Sequence, residues 1–280
     1  MKSFEDRWEG KDGTSFFIQG WEPENQEPKA LIALVHGLGE HTGRYIHVGK
    51  ALTDAGYALV GFDLRGNGKS GGARGHASSL DAYMQDIRQF RELLEKKYPA
   101  IPQFLYGHSL GGLLVLAYAI QYGAKLKGVI ATGPALRSSL QEQKIKVAMV
   151  RLLGSLLPAV TVESGLDATT ISRDSAIVEA YRNDPLIHYS ASLGFGKAAL
   201  SAIDLCFTRA REFPVPLLIM HGKKDRIAYS SGSEEFAQLV SAAGQDVTVQ
   251  LWDDLYHEVH NEPEKEEVFN FMAQWLERHI

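Results

Sequence analysis

Gly107-His108-Ser109-Leu110-Gly111-Gly112 is the stretch that decides the fold of this chain. Its G-x-S-x-G pattern is typical of a serine held on a sharp turn between a strand and a helix. Glycine is favoured beside that serine because a side chain would collide with its neighbours. The apolar run 103–106 predicts a buried strand before the turn, and the run 113–120 predicts a buried helix after it. The alternative is a glycine-rich crossing in which Ser109 has no chemical role.

Strand-like and helix-like stretches alternate on both sides of this turn. Regular alternation is typical of an α/β protein in which helices cover both faces of a mostly parallel sheet. The predicted strands are 14–19, 30–35, 57–62, 103–106, 128–132, 216–220 and 247–252, and the predicted helices are 45–55, 80–97, 110–122, 233–243 and 264–278. The candidate functional stretches follow strand ends, where open α/β sheets place their sites.

One long segment interrupts the alternation. Between Pro134 and Pro216 no stretch predicts a convincing strand of the sheet, and a structureless loop of that length is unusual in a compact domain. We therefore predict a mostly helical cap over residues 135–207, inserted between core segments 1–134 and 208–280. The cap contains a stretch, 145–157, that is apolar on nearly every face, so some of its side chains must be exposed, line a tunnel or meet an interface.

Composition and charge narrow the classes of function. A net charge of -5 over 280 residues gives no basic surface for nucleic acid or for an anionic membrane. No stretch approaches the ~20 apolar residues that span a bilayer. The first residues carry no apolar run of the signal-peptide type, so we expect a cytoplasmic location. Cys206 is the single cysteine, which excludes an intrachain disulfide and a thiolate metal cluster.

Two later segments supply partners for Ser109. A serine hydroxyl becomes a good nucleophile when a base takes its proton, and the base needs a third group that fixes its tautomer. In this type of sheet the acid and then the histidine follow the serine along the chain. Asp225 lies just after one predicted strand and His257 after the last one, so we predict Ser109 as nucleophile, His257 as base and Asp225 as the acid. The rival acids, which lie very close to His257 in sequence, are Asp253, Asp254 and Glu258.

Backbone amides are the expected donors to the oxyanion that such a reaction develops. The Leu110 amide at the helix N-terminus is one candidate. The second is the Leu38 amide, in the loop after strand 30–35, where Gly37 and Gly39 let the backbone approach a substrate.

Two other patterns suggest ligands that we do not expect. Gly66-Asn67-Gly68-Lys69-Ser70-Gly71 matches G-x-G-x-x-G, but a dinucleotide site needs a helix to begin there, and residues 72–75 continue as loop. The ten histidines include no H-E-x-x-H pair. We therefore expect neither a metal nor a cofactor.

Five segments of the chain resemble the monoacylglycerol lipase and lysophospholipase group of α/β-hydrolases. The resemblance runs in matching order from about residue 30 to the C-terminus, and its most specific segment is the first. Leu110 stands where methionine is common in this group. The segments are His36-Gly37-Leu38-Gly39-Glu40-His41-Thr42-Gly43-Arg44-Tyr45, Asp63-Leu64-Arg65-Gly66-Asn67-Gly68-Lys69-Ser70, the serine turn 107–112, His221-Gly222-Lys223-Lys224-Asp225 and His257-Glu258-Val259-His260-Asn261-Glu262.

The resemblance implies an α/β-hydrolase fold and cofactor-free hydrolysis of fatty-acid monoesters of glycerol. It also implies that Glu40, Arg44 and His260 help to bind the glycerol end, although a helix-start ion pair is an alternative role for Glu40 and Arg44. We expect the apolar stretch of the cap, including Ile145 and Met149, to accept the acyl chain and to touch lipid aggregates or a membrane surface. A broader carboxylesterase, a lysophospholipase, a thioesterase, an aminopeptidase or a non-catalytic receptor on the same fold are the alternatives.

Overall fold

A sheet of eight strands runs through the centre of the computed structural model, which describes residues 1–280. A separate pair of short strands lies outside it. The strands are β1 (Lys2–Glu9), β2 (Ser15–Glu22), β3 (Leu31–Val35), β4 (Ala58–Phe62), β5 (Gln103–His108), β6 (Gly128–Thr132), β7 (Thr161–Glu163), β8 (Ser190–Ser192), β9 (Leu217–Gly222) and β10 (Val247–Trp252). The order in the large sheet is β1-β2-β4-β3-β5-β6-β9-β10. The six strands β4, β3, β5, β6, β9 and β10 are parallel to their neighbours in this order. Strand β2 pairs antiparallel with both β1 and β4. The predicted mostly parallel sheet is therefore confirmed.

Helices cover both faces of this sheet, as the alternation predicts. They are α1 (Ile46–Asp54), α2 (Leu80–Lys97), α3 (Leu110–Tyr122), α4 (Ser139–Glu142), α5 (Lys144–Leu156), α6 (Ser175–Asn183), α7 (Leu193–Arg209), α8 (Ser230–Ser241) and α9 (Lys265–Glu277). Side chains of α2, α3, α7 and α8 share one buried core with the sheet, and those of α1 and α9 share the core on the opposite face. No helix in the chain combines the length and the apolar character that crossing a membrane requires.

Strand β1 is absent from the sequence-based prediction. It pairs with β2 along its full length, from Lys2 opposite Glu22 to Glu9 opposite Ser15. Its apolar contribution is small, because Trp8, stacked on Phe16 at 4.5 Å between ring centroids, is one of few apolar residues in a charged segment. A strand at a sheet edge does not need the alternating pattern that identifies half-buried strands.

The segment between β6 and β9 carries helices α4 to α7 and the antiparallel pair of β7 and β8. These two strands have three residues each and do not join the central sheet. The segment therefore adds no strand to the central sheet, as expected, but it does contain a small sheet of its own. The expected cap boundary at 207–208 falls inside α7, which is continuous from Leu193 to Arg209. Because Ala198, Ala202 and Cys206 of α7 lie in the same buried core as α3, this helix belongs to both parts.

Helix α5 turns one face to α7 and the other to solvent. A Cβ added at Gly154 would lie 2.5 Å from the Leu193 carbonyl oxygen, so α5 and the start of α7 approach each other as closely as glycine allows. Farther along, Val150 contacts Gly196 of α7. The opposite face leaves Ile145, Met149, Leu152 and Leu156 exposed.

The turn between β5 and α3 depends on two glycines. A Cβ added at Gly107 would lie 2.2 Å from the Gly111 carbonyl oxygen, and one at Gly111 would lie 1.9 Å from the Val35 carbonyl oxygen of β3. Neither contact can be relieved by a side-chain rotation, because both partners are backbone atoms. The first turn of α3 therefore packs directly on the end of β3.

We expect Gly111→Ala to lower the free energy of unfolding by about 3 kcal/mol or more, because α3 must move away from the sheet to accommodate one methyl group. Gly71→Ala is the matched control, since a Cβ there has no neighbour nearer than 3.4 Å. Urea unfolding followed by circular dichroism measures both variants. Equal stability of the two would contradict the close-packed turn.

Candidate active site

Ser109 sits at the tip of the turn in a strained backbone conformation. Its φ of 55° is the single positive value among the non-glycine residues. Such a conformation costs about 1–3 kcal/mol and persists where the surrounding structure enforces it. Here Ser109 N–H donates to the Thr132 carbonyl at 2.9 Å, and its carbonyl accepts the N–H groups of Leu113 and Ala135 at 3.0 Å each. The hydroxyl is thereby presented away from the sheet.

The Ser109 hydroxyl, His257 and Asp225 form one chain of hydrogen bonds. His257 Nδ1 lies 2.6 Å from Asp225 Oδ2, and His257 Nε2 lies 2.8 Å from Ser109 Oγ. A carboxylate only accepts, so Nδ1 carries the proton and the unprotonated Nε2 accepts from the serine hydroxyl. This is the arrangement in which an imidazole can take the proton of a serine.

Asp225 is held by three further contacts at the end of β9. Its Oδ1 accepts the N–H groups of Ile227 at 2.7 Å and Ala228 at 2.9 Å. Its Oδ2 also accepts from His221 Nε2 at 2.9 Å, and the same nitrogen lies 2.9 Å from the Ala228 carbonyl. Sequence reasoning assigned no role to His221, and its place at the end of a buried strand was the signal that could have suggested one.

Neighbouring charges shift the pKa of Asp225 and the pKa of His257 in opposite directions. Burial disfavours ionisation of Asp225, but His257 and His221 outweigh burial and hold the pKa of this carboxyl well below its ordinary range. Burial also disfavours protonation of His257, but the Asp225 carboxylate outweighs it and raises the pKa of His257 above its ordinary value. The ring of His108 lies 4.8 Å from that of His257, and burial lowers the pKa of His108 to about 4, so this neighbour is uncharged at neutral pH.

The loop after β3 runs beside the serine. A Cβ added at Gly37 would lie 3.3 Å from Ser109 Cβ. Leu38 N–H makes no hydrogen bond within the chain. Leu110 is the first residue of α3, so its N–H has no intrahelical acceptor. The two segments next to Ser109 therefore each contain one unpaired backbone N–H, at Leu38 and at Leu110.

A buried ion network lies behind this loop. Arg44 donates to Glu40 Oε2 at 2.6 Å and to both oxygens of Glu258 at 2.7 Å. Glu40 Oε1 accepts the Gly37 N–H at 2.6 Å and the Tyr45 hydroxyl at 2.7 Å. Burial opposes ionisation of Glu40, but Arg44 lowers the pKa of Glu40 to about 2. The i,i+4 ion pair between Glu40 and Arg44, the alternative role for these residues, is present.

Two of the residues expected at the glycerol end do not face open space. His260 is 0% exposed, and its ring stacks on that of Tyr45 at 5.0 Å and lies 4.7 Å from that of His108. Burial lowers the pKa of His260 well below its ordinary value, so its ring is neutral. Arg44 has its guanidinium taken up by Glu40 and Glu258. Of the predicted polar set, only Gly37 and Glu40 border the cavity beside Ser109.

That cavity has a volume of about 430 Å³ and is bordered by Ser109, His257, Leu38 and Leu110. Most of the remaining lining comes from α3, α4, α7 and the loops 164–171 and 226–227, and it combines apolar side chains with polar ones such as Gln141, Asp167 and Arg226. The apolar residues of this lining include Leu113, Leu140, Leu166, Ile171, Phe195, Leu200, Ile203 and Ile227. A slot of this size and character suits a small ligand with an apolar chain.

Ile145 and Met149 do not border this cavity, contrary to the expectation from the sequence. They are 78% and 52% exposed on the outer face of α5. The physical reason is the contact of Val150 and Gly154 with α7, which turns that outer face away from Ser109. Helix α7 supplies the wall that sequence reasoning assigned to α5.

The family model described as serine aminopeptidase, S33, matches residues 26–264 of this chain. The chain is similar to a monoacylglycerol lipase of Mycolicibacterium smegmatis, with 34% identity over 272 residues that cover 97% of this chain and 96% of that protein. It is also 37% identical over 274 residues to an uncharacterized abhydrolase domain-containing protein of Dictyostelium discoideum, of which it spans 28%. Among solved structures, the monoacylglycerol lipase of Paleococcus ferrophilus superposes with a TM-score of 0.84 at 32% identity, over 100% of both chains.

Proposed function

We propose that this chain, which belongs to the serine aminopeptidase S33 family and has the α/β-hydrolase fold, cleaves monoacylglycerols to glycerol and a fatty acid. It is a serine ester hydrolase, and its relative in Mycolicibacterium smegmatis is a monoacylglycerol lipase. One observation carries the proposal for this chain's own residues: the hydrogen-bonded chain Ser109–His257–Asp225 borders a cavity that is lined in part by apolar side chains.

In the proposed reaction His257 Nε2 takes the proton of Ser109 as Oγ bonds to the ester carbonyl carbon. The carbonyl oxygen becomes an oxyanion, which the Leu38 and Leu110 N–H groups stabilise. Asp225 holds the imidazolium. The imidazolium then protonates the leaving glycerol oxygen as the carbon–oxygen ester bond breaks, which leaves an acyl-serine. A water molecule, deprotonated by His257, attacks the acyl carbon, and the fatty acid departs as the proton returns to Ser109.

The cavity supports this choice of substrate because both apolar side chains and a buried carboxylate border it. Its apolar side chains suit an acyl chain. The Glu40 carboxylate borders the cavity, and in this proposal a glycerol hydroxyl lies against it. Arg44 acts on the glycerol end through Glu40 in this proposal. His260 packs behind the site.

An aminopeptidase is the alternative that the family's description raises. Such an enzyme needs a free carboxylate to hold the amine of its substrate. Glu40 and Glu258 both border the cavity, but they share the Arg44 guanidinium, which neutralises much of their attraction for a second cation. Asp167 also borders the cavity, and its side chain accepts from the N–H and the hydroxyl of Thr169 without an ion pair. The similarity to monoacylglycerol lipases favours the ester substrate.

The exposed face of α5 supports a further part of the proposal, a transient contact with lipid aggregates or a membrane surface. Ile145, Met149, Leu152 and Leu156 form one apolar stripe on this face. Contiguous exposed apolar surface is unusual on a soluble protein and typical of an interaction site. The cytoplasmic location stays a prediction.

Ser109→Ala should abolish ester hydrolysis while the fold is retained, since only one half-buried hydroxyl is lost. Removal of a triad nucleophile costs on the order of 10⁴-fold or more in kcat. Turnover of a monoacylglycerol and labelling by a fluorophosphonate probe measure the effect. Ser139→Ala, a serine bordering the same cavity outside the hydrogen-bonded chain, is the control and should keep both activities. A folded Ser109→Ala variant with wild-type turnover would exclude the proposed reaction.

The pH dependence follows from the raised pKa of His257. The neutral imidazole is the active form, so kcat/KM should rise with pH, with a midpoint above the ordinary histidine value of 6.5.

Asp225→Asn should lower kcat by roughly 10³–10⁴-fold, because the amide stabilises the wrong tautomer. It should also lower the pKa of His257 as measured by NMR. Asp254→Asn, an exposed acid paired with Lys224, is the control. A large loss in the control alone would mean that the acid is misassigned.

The preference of the enzyme for longer or shorter acyl chains tests whether the apolar residues of the cavity bind the acyl chain. Each buried methylene contributes up to ~0.8 kcal/mol, so Ile203→Ser should reduce kcat/KM for a p-nitrophenyl octanoate by about tenfold or more and leave the acetate ester nearly unchanged. Leu152→Ser, on the exposed face of α5, should affect neither soluble ester. Equal losses at both chain lengths in folded Ile203→Ser would show that the acyl chain lies elsewhere.

A further inference from the structure

We propose that Asn67 and His188 are positioning residues that hold the Leu38 amide in place for the oxyanion. Through them, the position of this amide depends on the position of the cap. The proposal rests on the proposed function, because it requires Leu38 N–H to be an oxyanion donor. It assigns a role to the segment Gly66-Asn67-Gly68-Lys69-Ser70-Gly71, which has the glycines of a dinucleotide site without the helix.

Asn67 is a buried junction between three segments of the chain. Its side chain is fully buried, and Oδ1 accepts the Gly39 N–H at 3.0 Å and His188 Nε2 at 2.9 Å. Its Nδ2 donates to the Arg65 carbonyl at 2.9 Å. Only the amide oxygen can accept, and only the nitrogen can donate, so these three partners fix the orientation of the amide. Asn67 thus joins its own loop to the loop after β3 and to the cap.

His188 is the cap's contribution to this junction. Its Nδ1 accepts the Ser190 N–H at 3.3 Å, so Nε2 carries the proton that is donated to Asn67. Its backbone N–H donates to the Gly39 carbonyl at 3.0 Å. Asn67 and His188 therefore hold the N–H and the C=O of the same residue, which directly follows Leu38.

The peptide group that carries Leu38 N–H is fixed on its other sides as well. Its carbonyl, that of Gly37, accepts from His36 Nδ1 at 2.7 Å, and Gly37 N–H is held by Glu40. Leu38 N–H alone is left without a partner. Asn67 and His188 complete a set of contacts in which every neighbour of that donor is constrained.

The cap backbone rests directly on this loop. Gly39 has a φ of +73°, and a Cβ added there would lie 2.2 Å from the His188 carbonyl oxygen. A second link joins His41 Nε2 to Asp184 Oδ2 at 2.8 Å. A shift of residues 184–188 would therefore move Gly39, and with it the Leu38 amide. Misplacement of a catalytic group by about 1 Å can cost 10²-fold in rate.

The test measures oxyanion stabilisation separately from folding. In Asn67→Ala, kcat for a p-nitrophenyl ester should fall by about ten- to a hundredfold at unchanged KM. Affinity for a trifluoromethyl ketone, whose hemiketal places an oxyanion in the same position, should fall by the same factor. His188→Phe should reproduce the effect from the cap side, which keeps the proposal testable if Asn67→Ala fails to fold.

His76→Phe is the matched control. His76 Nδ1 contacts Ser192 Oγ at 2.9 Å, so this variant removes another core-to-cap hydrogen bond that does not involve the loop after β3. It should leave kcat and ketone affinity unchanged. If the wild type is active but kcat is unchanged in Asn67→Ala and His188→Phe, this inference is wrong. It is also wrong if kcat falls equally in His76→Phe. In both cases the proposed function still stands. A wild type with no Ser109-dependent esterase activity would overturn the proposed function and this inference with it.

Discussion

The contact between Gly111 and the end of β3 is the constraint on which the site depends. With only hydrogen at position 111, the first turn of α3 lies against the Val35 carbonyl. This contact brings the free N–H of Leu110 and the loop that follows β3 to the same place. Ser109 occupies the gap between them, in a backbone conformation that an isolated serine would avoid. The placement of these backbone groups near Ser109 is thus a consequence of helix–sheet packing.

The sequence alone was sufficient to predict the α/β class and to propose Ser109, Asp225 and His257, for a physical reason. Parallel strands end at the same edge of a sheet, so residues that follow different strands are brought together whatever their separation along the chain. Strand β9 pairs with β10 up to Gly222 opposite Trp252, and the Asp225 and His257 loops leave from that shared end. Strand ends therefore narrow the candidates to a few side chains at one edge of the sheet, although Asp253 and Asp254 also follow β10 and pair with surface lysines instead.

Side chains on helices and long loops could not be placed in this way. Helix α5 is apolar on several faces, and only the glycine contact with α7 determines which face is buried. The Arg44–Glu258 pair joins residues 214 positions apart, and neither lies in a pattern that specifies the other. The junction at Asn67 similarly joins the residue to His188, 121 positions away. Such contacts depend on three-dimensional packing, for which one sequence contains no local signal.

The charged residues of strand β1, which make the strand hard to predict from the sequence, have a function of their own. It forms one edge of the eight-stranded sheet, where unpaired backbone groups can recruit a strand from another molecule. Charged side chains at such an edge discourage this addition because they would be desolvated or brought close to like charges. The charged residues of β1 are Lys2, Glu5, Asp6, Arg7 and Glu9. The residues that hide β1 from a hydrophobic pattern are therefore those that protect the sheet from edge-to-edge aggregation.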